Sequence, residues 1–304
     1  MFNVHLKLMA MGLLWATSYP LGRYLGEYEA PQALVVIRTL IAFVFLLYIA
    51  RRRGEPRIAM TPRLVVHFLL LGFCGFCLHN FLMFEGLEHT QANTGAVING
   101  AIPVVVMVLD FLVFRRTIAR WSVVGVACSF IGAAIVVSHG DFGSLLRGRI
   151  GYGELLFLVA ITGWAGYTII ARPLLEQHAS LAVTAYACLA GAVLMLPAMI
   201  WNLDATLNML SDPRIVALLA VQGVLTIGLG FLWYCEGVQA LGPMNAAVYI
   251  NLVPIFGIVL AAVTINELPS RALLVGAALV IGGLLLVNRA EARRASRLLS
   301  PGRA

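Results

Sequence analysis

Stretches free of Asp, Glu, Lys and Arg recur along the chain, each bounded by charge. In the first half they are Leu8 to Gly22, Leu64 to Phe84, His89 to Leu109 and Trp121 to Gly140. In the second half they are Leu155 to Ala171, His178 to Leu203, Ile215 to Cys235, Gly237 to Asn266 and Ala272 to Asn288. One more block, Pro31 to Ala50, is interrupted only by Arg38. A helix rises about 1.5 Å per residue, so about 20 apolar residues cross a hydrocarbon core of about 30 Å. The blocks approach or exceed that length and predict an all-α integral membrane protein of ten transmembrane helices. Leu241-Gly242-Pro243 marks a turn, so the helix of the longest block is predicted to begin near Met244. Lys7 followed by Leu8 to Gly22 has the charge and apolarity of a signal peptide, but Trp15, Tyr19 and Pro20 precede no Ala-x-Ala-like site. The block is therefore read as the first helix.

Composition agrees: 61% of residues are hydrophobic and 12% charged, against about 25% charged in soluble domains. Mean hydropathy is +0.92. The lipid bilayer is the predicted solvent. A net charge of +7 raises the question of nucleic acid, but the arginines sit in short clusters between apolar blocks rather than along one face. Lys7 is the one lysine, which excludes a phosphate-gripping P-loop. Counted in alternate loops, basic residues number fifteen on one side, including Arg51, Arg52, Arg53 and Arg57, and five on the other, Arg23, Arg147, Arg149, Arg214 and Arg271. Retained basic residues mark the cytoplasmic side, so both termini are expected there, in a bacterial-type inner membrane. The five cysteines all lie inside apolar blocks and imply no disulfide framework. Cys74-Gly-Phe-Cys77 has redox spacing without a redox or metal context. No HExxH or Gly-x-Ser-x-Gly motif occurs within the spans, and the loops leave no room for an extramembrane catalytic domain. An enzyme is not expected, nor a cofactor or metal.

The chain resembles itself. Trp15-Ala16 through Arg23 repeats as Trp164-Ala165 through Arg172. At a shift of 151, Glu85-Gly86 falls on Glu236-Gly237, Pro103 on Pro254, Arg120 on Arg271, Gly125 on Gly276 and Gly132 on Gly283. Glycine and proline weigh most, because they govern helix approach and kinks. The expected units are residues 1–149, residues 150–290 and a basic cytoplasmic tail, 291–304. Five spans per unit is an odd number, so the second unit enters the membrane from the opposite face. Such inverted repeats place a substrate site near the midplane of secondary transporters and open it to either side in turn. Duplicated channels and scaffolds share the pattern.

Several stretches resemble one known family. Val36-Ile37-Arg38-Thr39-Leu40-Ile41-Ala42 is similar to its second-helix arginine motif; Asn245-Ala246-Ala247 to Pro254, Asn266-Glu267-Leu268-Pro269 and Gly276 to Gly283 are similar to its fourth- and fifth-helix signature. That family is EamA, of the drug/metabolite transporter superfamily, and within it the resemblance is to aromatic amino-acid exporters. It implies a ten-helix exporter moving amino acids and related metabolites outward. One departure is that Arg116 stands in the first copy where Glu267 stands in the second.

Candidate substrate-binding residues follow. Arg38 lies seven residues beyond Pro31, about 10 Å into the membrane, where it either meets a substrate carboxylate or snorkels and bonds helix ends. Its repeat counterpart is Ala187. His79, beside Asn80, is suited to relay protons or to bond internally. Trp15 and Tyr19 share a helix face, and Trp164 and Tyr167 occupy the matching region of the second copy. Their rings suit an ammonium and an apolar or aromatic side chain, or else belong to an interfacial belt. Asn99 and Tyr249 are candidates for added hydrogen bonds. Glu85, Glu236, Asp110 and Glu154 fall near predicted helix ends, where carboxylates are commonly solvated or capping. A sugar-phosphate carrier would need more cations within the spans than Arg38. Oligomeric state is not legible, since Gly22-x-x-x-Gly26 packs helices within or between chains.

Overall fold

The computed structural model describes residues 2–55, 58–114, 120–141 and 150–299, which are helical or in short connections, with no strand among them. Helix α1 is Phe2–Ala16 and α2 is Ser18–Leu25. There follow α3 (Pro31–Arg52), α4 (Pro62–His89), α5 (Ala92–Val113), α6 (Arg120–Val137), α7 (Tyr152–Leu175) and α8 (Ser180–Trp201). A short α9 (Leu203–Leu210) leads to α10 (Pro213–Leu241), α11 (Asn245–Ile265) and α12 (Arg271–Leu299). Eight of these, α3 to α8, α10 and α11, are long and apolar enough to cross a membrane, and α12 adds the shorter apolar stretch Arg271–Val287. Apolar side chains also cover the outside, with Val44, Leu112, Trp121 and Val263 all exposed. A water-soluble protein has no use for such a surface; a multi-pass membrane protein presents it to lipid. Arg57, Arg115, Arg116, Arg147, Arg149 and Arg303 of the charge count lie outside the described residues.

The expected first helix is broken. Pro20 has no N–H to offer the Ala16 carbonyl and its ring crowds that oxygen, and α1 ends at Ala16. Thr17 Oγ1 donates to the Leu14 carbonyl at 2.6 Å in the break, and α2 resumes at Ser18. Two other departures from regular helix are π-helical segments, Phe73–Phe81 within α4 and Gly223–Leu229 within α10.

Helices pack by counterpart. Helix α6 lies along α12, α3 along α8 and α5 along α11, while α7 meets the π segment of α4 and α1 meets α10. The α6–α12 contact explains the repeated glycines. A methyl group at Gly132 would stand 2.6 Å from the Gly276 carbonyl, and one at Gly276 would stand 2.8 Å from the Gly132 carbonyl. Gly125 faces Gly283 in the same way, and Ser129 Oγ donates to the Val280 carbonyl at 3.1 Å between the two pairs. The helices thus run antiparallel with backbone against backbone.

Connections are pinned by side chains. Asn266 ends α11 in the left-handed region, φ 55°. Glu267 then turns its carboxylate onto the N-terminus of α5, accepting from the Ala92 N–H at 3.1 Å and the Asn93 N–H at 3.0 Å. That is where a helix leaves donors unpaired and carries partial positive charge. Arg23 donates to the carbonyls of Leu87 and Glu88 at the other end of α4. Glu236 is an ion-pair partner of Lys7 at 2.6 Å and Glu85 lies 3.8 Å from His89. Of the two expectations for Glu154, solvated or capping, the first fails: it stands in the first turn of α7 but is buried, accepts from Thr90 Oγ1 at 2.5 Å and lies 3.3 Å from His139 Nε2. The side chain of Asp110 lies outside the described ones.

Candidate functional site

Broken helix α1–α2, the two π segments and the middles of α3, α5, α7 and α11 surround a small cavity. Its walls include Trp15, Ser18, Tyr19, Arg38, His79, Asn99, Trp164, Phe231, Ile250 and Val253. It offers about 40 Å³ to water-sized occupants. Ligand pockets usually measure about 300 Å³ or more, so the walls are drawn together.

The break at Thr17 sets one wall. It leaves Trp15 at the end of α1 and Ser18 and Tyr19 at the start of α2, all three on the cavity. Trp15 Nε1 donates to the Thr226 carbonyl at 3.0 Å, inside the π segment of α10. Around it the rings gather: Trp15 meets Trp164 edge-on at 4.8 Å, and Phe231 lies 5.6 Å from Trp15 and 5.0 Å from Trp164. These are offset and edge-to-face arrangements, the ones ring quadrupoles favour.

Arg38 supplies the charge. It is 1% exposed, and its Nη2 donates to Ser18 Oγ and to Gln222 Oε1, each at 3.2 Å. Its guanidinium carbon stands 4.8 Å over the Phe84 ring. Among the described residues no carboxylate pairs with it, and its Nε is buried without a hydrogen-bond partner. Arg38 therefore does not snorkel; it is a buried cation on the wall of a cavity, held by neutral groups.

His79 reaches the wall from the π segment of α4. Its Nδ1 donates to the Ala160 carbonyl at 3.0 Å and its ring lies 4.9 Å from Trp164. The neighbouring Asn80 amide donates to the Gly75 carbonyl at 2.8 Å. Asn99 Nδ2 donates to the Tyr19 hydroxyl, while Asn99 Oδ1 is buried without a partner.

Of the eight residues singled out in the sequence, six share this cavity: Trp15, Tyr19, Arg38, His79, Asn99 and Trp164. Tyr167 stands behind Trp164, stacked on it at 5.2 Å and fully buried. Tyr249 lies apart: its hydroxyl bonds His5 Nδ1 near the start of α1, whereas Ile250 and Val253 of the same helix reach the cavity. Sequence reasoning missed Ser18, Phe231 and Gln222. The last had a signal, being an amide in the otherwise apolar block Ile215 to Cys235.

Cys74, Cys77, Cys128, Cys188 and Cys235 are free thiols.

Comparisons with known proteins agree with the membrane architecture. A solved crystal structure superposes with a TM-score of 0.68 over 97% of this chain and 99% of its own, at 19% identity. The uncharacterized transporter YyaM of Bacillus subtilis is 24% identical over 94% of this chain and 93% of its own. A Streptantibioticus cattleyicolor protein named "Probable terminal-alkyne amino-acid exporter" is 29% identical over 95% of this chain and 94% of its own. The sequence profile of the EamA-like transporter family matches residues 3–138 and again residues 151–289, and the chain belongs to that family of transporters.

Proposed function

We propose that the protein exports amino acids, aromatic and other neutral ones, together with related metabolites, by alternating access between two inverted five-helix repeats. The observation that carries the reading is Arg38, a buried cation without a carboxylate partner among the described residues, facing a cavity that Trp15, Tyr19, Trp164 and Phe231 also line. An amino-acid zwitterion complements that wall. Its carboxylate suits the guanidinium, and its ammonium suits Asn99 Oδ1 and the indole faces of Trp15 and Trp164. An apolar or aromatic side chain suits the rings around Phe231. The relative named as an amino-acid exporter supports the same substrate class, and the finer resemblance is to the aromatic amino-acid exporter YddG.

Supporting the repeat are the antiparallel glycine contact of α6 with α12 and the pairing of counterpart helices. Taking the broken α1–α2 and α12 with the eight apolar spans gives ten passes, with both termini on the cytoplasmic side of an inner membrane. A cavity of about 40 Å³ is too small for an amino acid, which on this reading enters when the halves part. The test is counterflow in proteoliposomes. Preloaded L-phenylalanine is expected to drive saturable uptake of radiolabelled L-phenylalanine, and Trp164→Ala or His79→Ala to reduce it in folded protein. Well-folded wild type that exchanges no aromatic or neutral amino acid sinks the assignment; unsaturable flux makes it a channel.

A further inference from the structure

Gln222 ends the first stretch of α10, Pro213–Gln222, just before its π segment and sits behind Arg38 rather than on the cavity wall. Both ends of its amide are engaged. Oε1 accepts from Arg38 Nη2 at 3.2 Å, from Thr226 Oγ1 at 2.8 Å and from Ser18 Oγ at 3.4 Å; Nε2 donates to Thr17 Oγ1 at 2.8 Å. A side chain of the second half thus grips the helix break and the arginine of the first half at one point.

The choice of an amide has a chemical consequence. A carboxylate at this position would bond the guanidinium more strongly and also cancel its charge, leaving little for a ligand to gain. The amide oxygen fixes the direction of the guanidinium and leaves the positive charge whole. On the Arg38 reading of the substrate site, we infer that Gln222 is a positioning residue that makes the site selective for solutes bearing a carboxylate, by orienting Arg38 without neutralising it. Thr226 and Thr17 fix the amide in turn, so its oxygen faces Arg38 rather than its nitrogen.

The experiment compares L-phenylalanine with L-phenylalaninamide, which lacks the carboxylate, as competitors of radiolabelled L-phenylalanine counterflow by full-length protein. Wild type is expected to favour the acid by about tenfold or more, the discrimination a charged group gives when its partner is missing. Gln222→Glu keeps the side-chain volume and is expected to bring the ratio near one. Gln222→Leu, which removes the oxygen without adding charge, is expected to raise the half-saturation concentration for the acid several-fold, on the order of one hydrogen bond to a charged group, with the maximal rate within about twofold. It decides the matter if Gln222→Glu does not assemble. A purely structural role would lower thermal stability and affect both compounds alike. Folded variants that keep the wild-type ratio and half-saturation overturn the role of Gln222 alone, whereas wild type that exchanges no amino acid overturns the transport reading and this inference with it.

Discussion

Arg38 is held 1% exposed by two neutral acceptors and one ring face, and such an arginine in a membrane helix costs at least ~2.5 kcal/mol. Nothing in the packing around it recovers that cost as an ion pair among the described residues. A side chain kept for stability and one kept for a ligand therefore predict opposite results. Arg38→Met fills similar space with an apolar chain, so the melting temperature in detergent is expected to stay level or rise, while counterflow of L-phenylalanine falls by at least about tenfold. A lower melting temperature with unimpaired exchange would make the arginine structural. The sequence already showed that Arg38 breaks an apolar block. It did not show what surrounds it, because Ser18 and Gln222 are respectively 20 and 184 residues away along the chain.

At the scale of elements, two kinds of signal behaved differently. Glycines repeated at a fixed spacing foretold a close contact, and the α6–α12 crossing has one, carbonyl against Cα at both Gly132 and Gly276. Because the obstacle is backbone on each side, a larger residue cannot be accommodated by a rotamer change. Gly132→Val and Gly276→Val are each expected to destabilise by about 1–3 kcal/mol or to prevent folding, read as loss of the monodisperse peak or a lower melting temperature. Gly282→Val is the control, since a methyl group there meets open space. Helix irregularities were less legible. Pro20 accounts for the break after Ala16 through its missing N–H, but the π segments at Phe73–Phe81 and Gly223–Leu229 contain no proline. They carry His79 and Thr226 to the cavity, consistent with the frequent placement of π turns at functional sites.

For the whole molecule, the contrast is between a firm frame and a small centre. The frame is glycine-tight at α6–α12, and its connections are latched by Glu267 on α5 and Arg23 on α4. The centre holds only about 40 Å³, so transport needs the halves to move as bodies. The titratable side chains on the cavity wall are Tyr19, Arg38 and His79, with no carboxylate among the lining residues, whereas proton-coupled carriers relay protons through intramembrane Asp, Glu and His. Flux is therefore expected to follow the solute gradient: an imposed gradient of about one pH unit should alter initial amino-acid exchange by less than about twofold, a bound drawn from the single histidine on the wall. A larger and reversible effect in His79-intact protein, lost in His79→Ala, would establish proton coupling instead. By itself the sequence determined the solvent, the helical class, the family and six of the wall residues, because block length, repeated glycines and aromatic positions are local or periodic properties of the chain. Only the tertiary structure decided that Tyr249 stands outside the cavity, that Glu154 is buried, and that a glutamine in the second half holds the arginine of the first. Those depend on which helices meet and at what rotation, and polar contacts between distant segments leave no period to read.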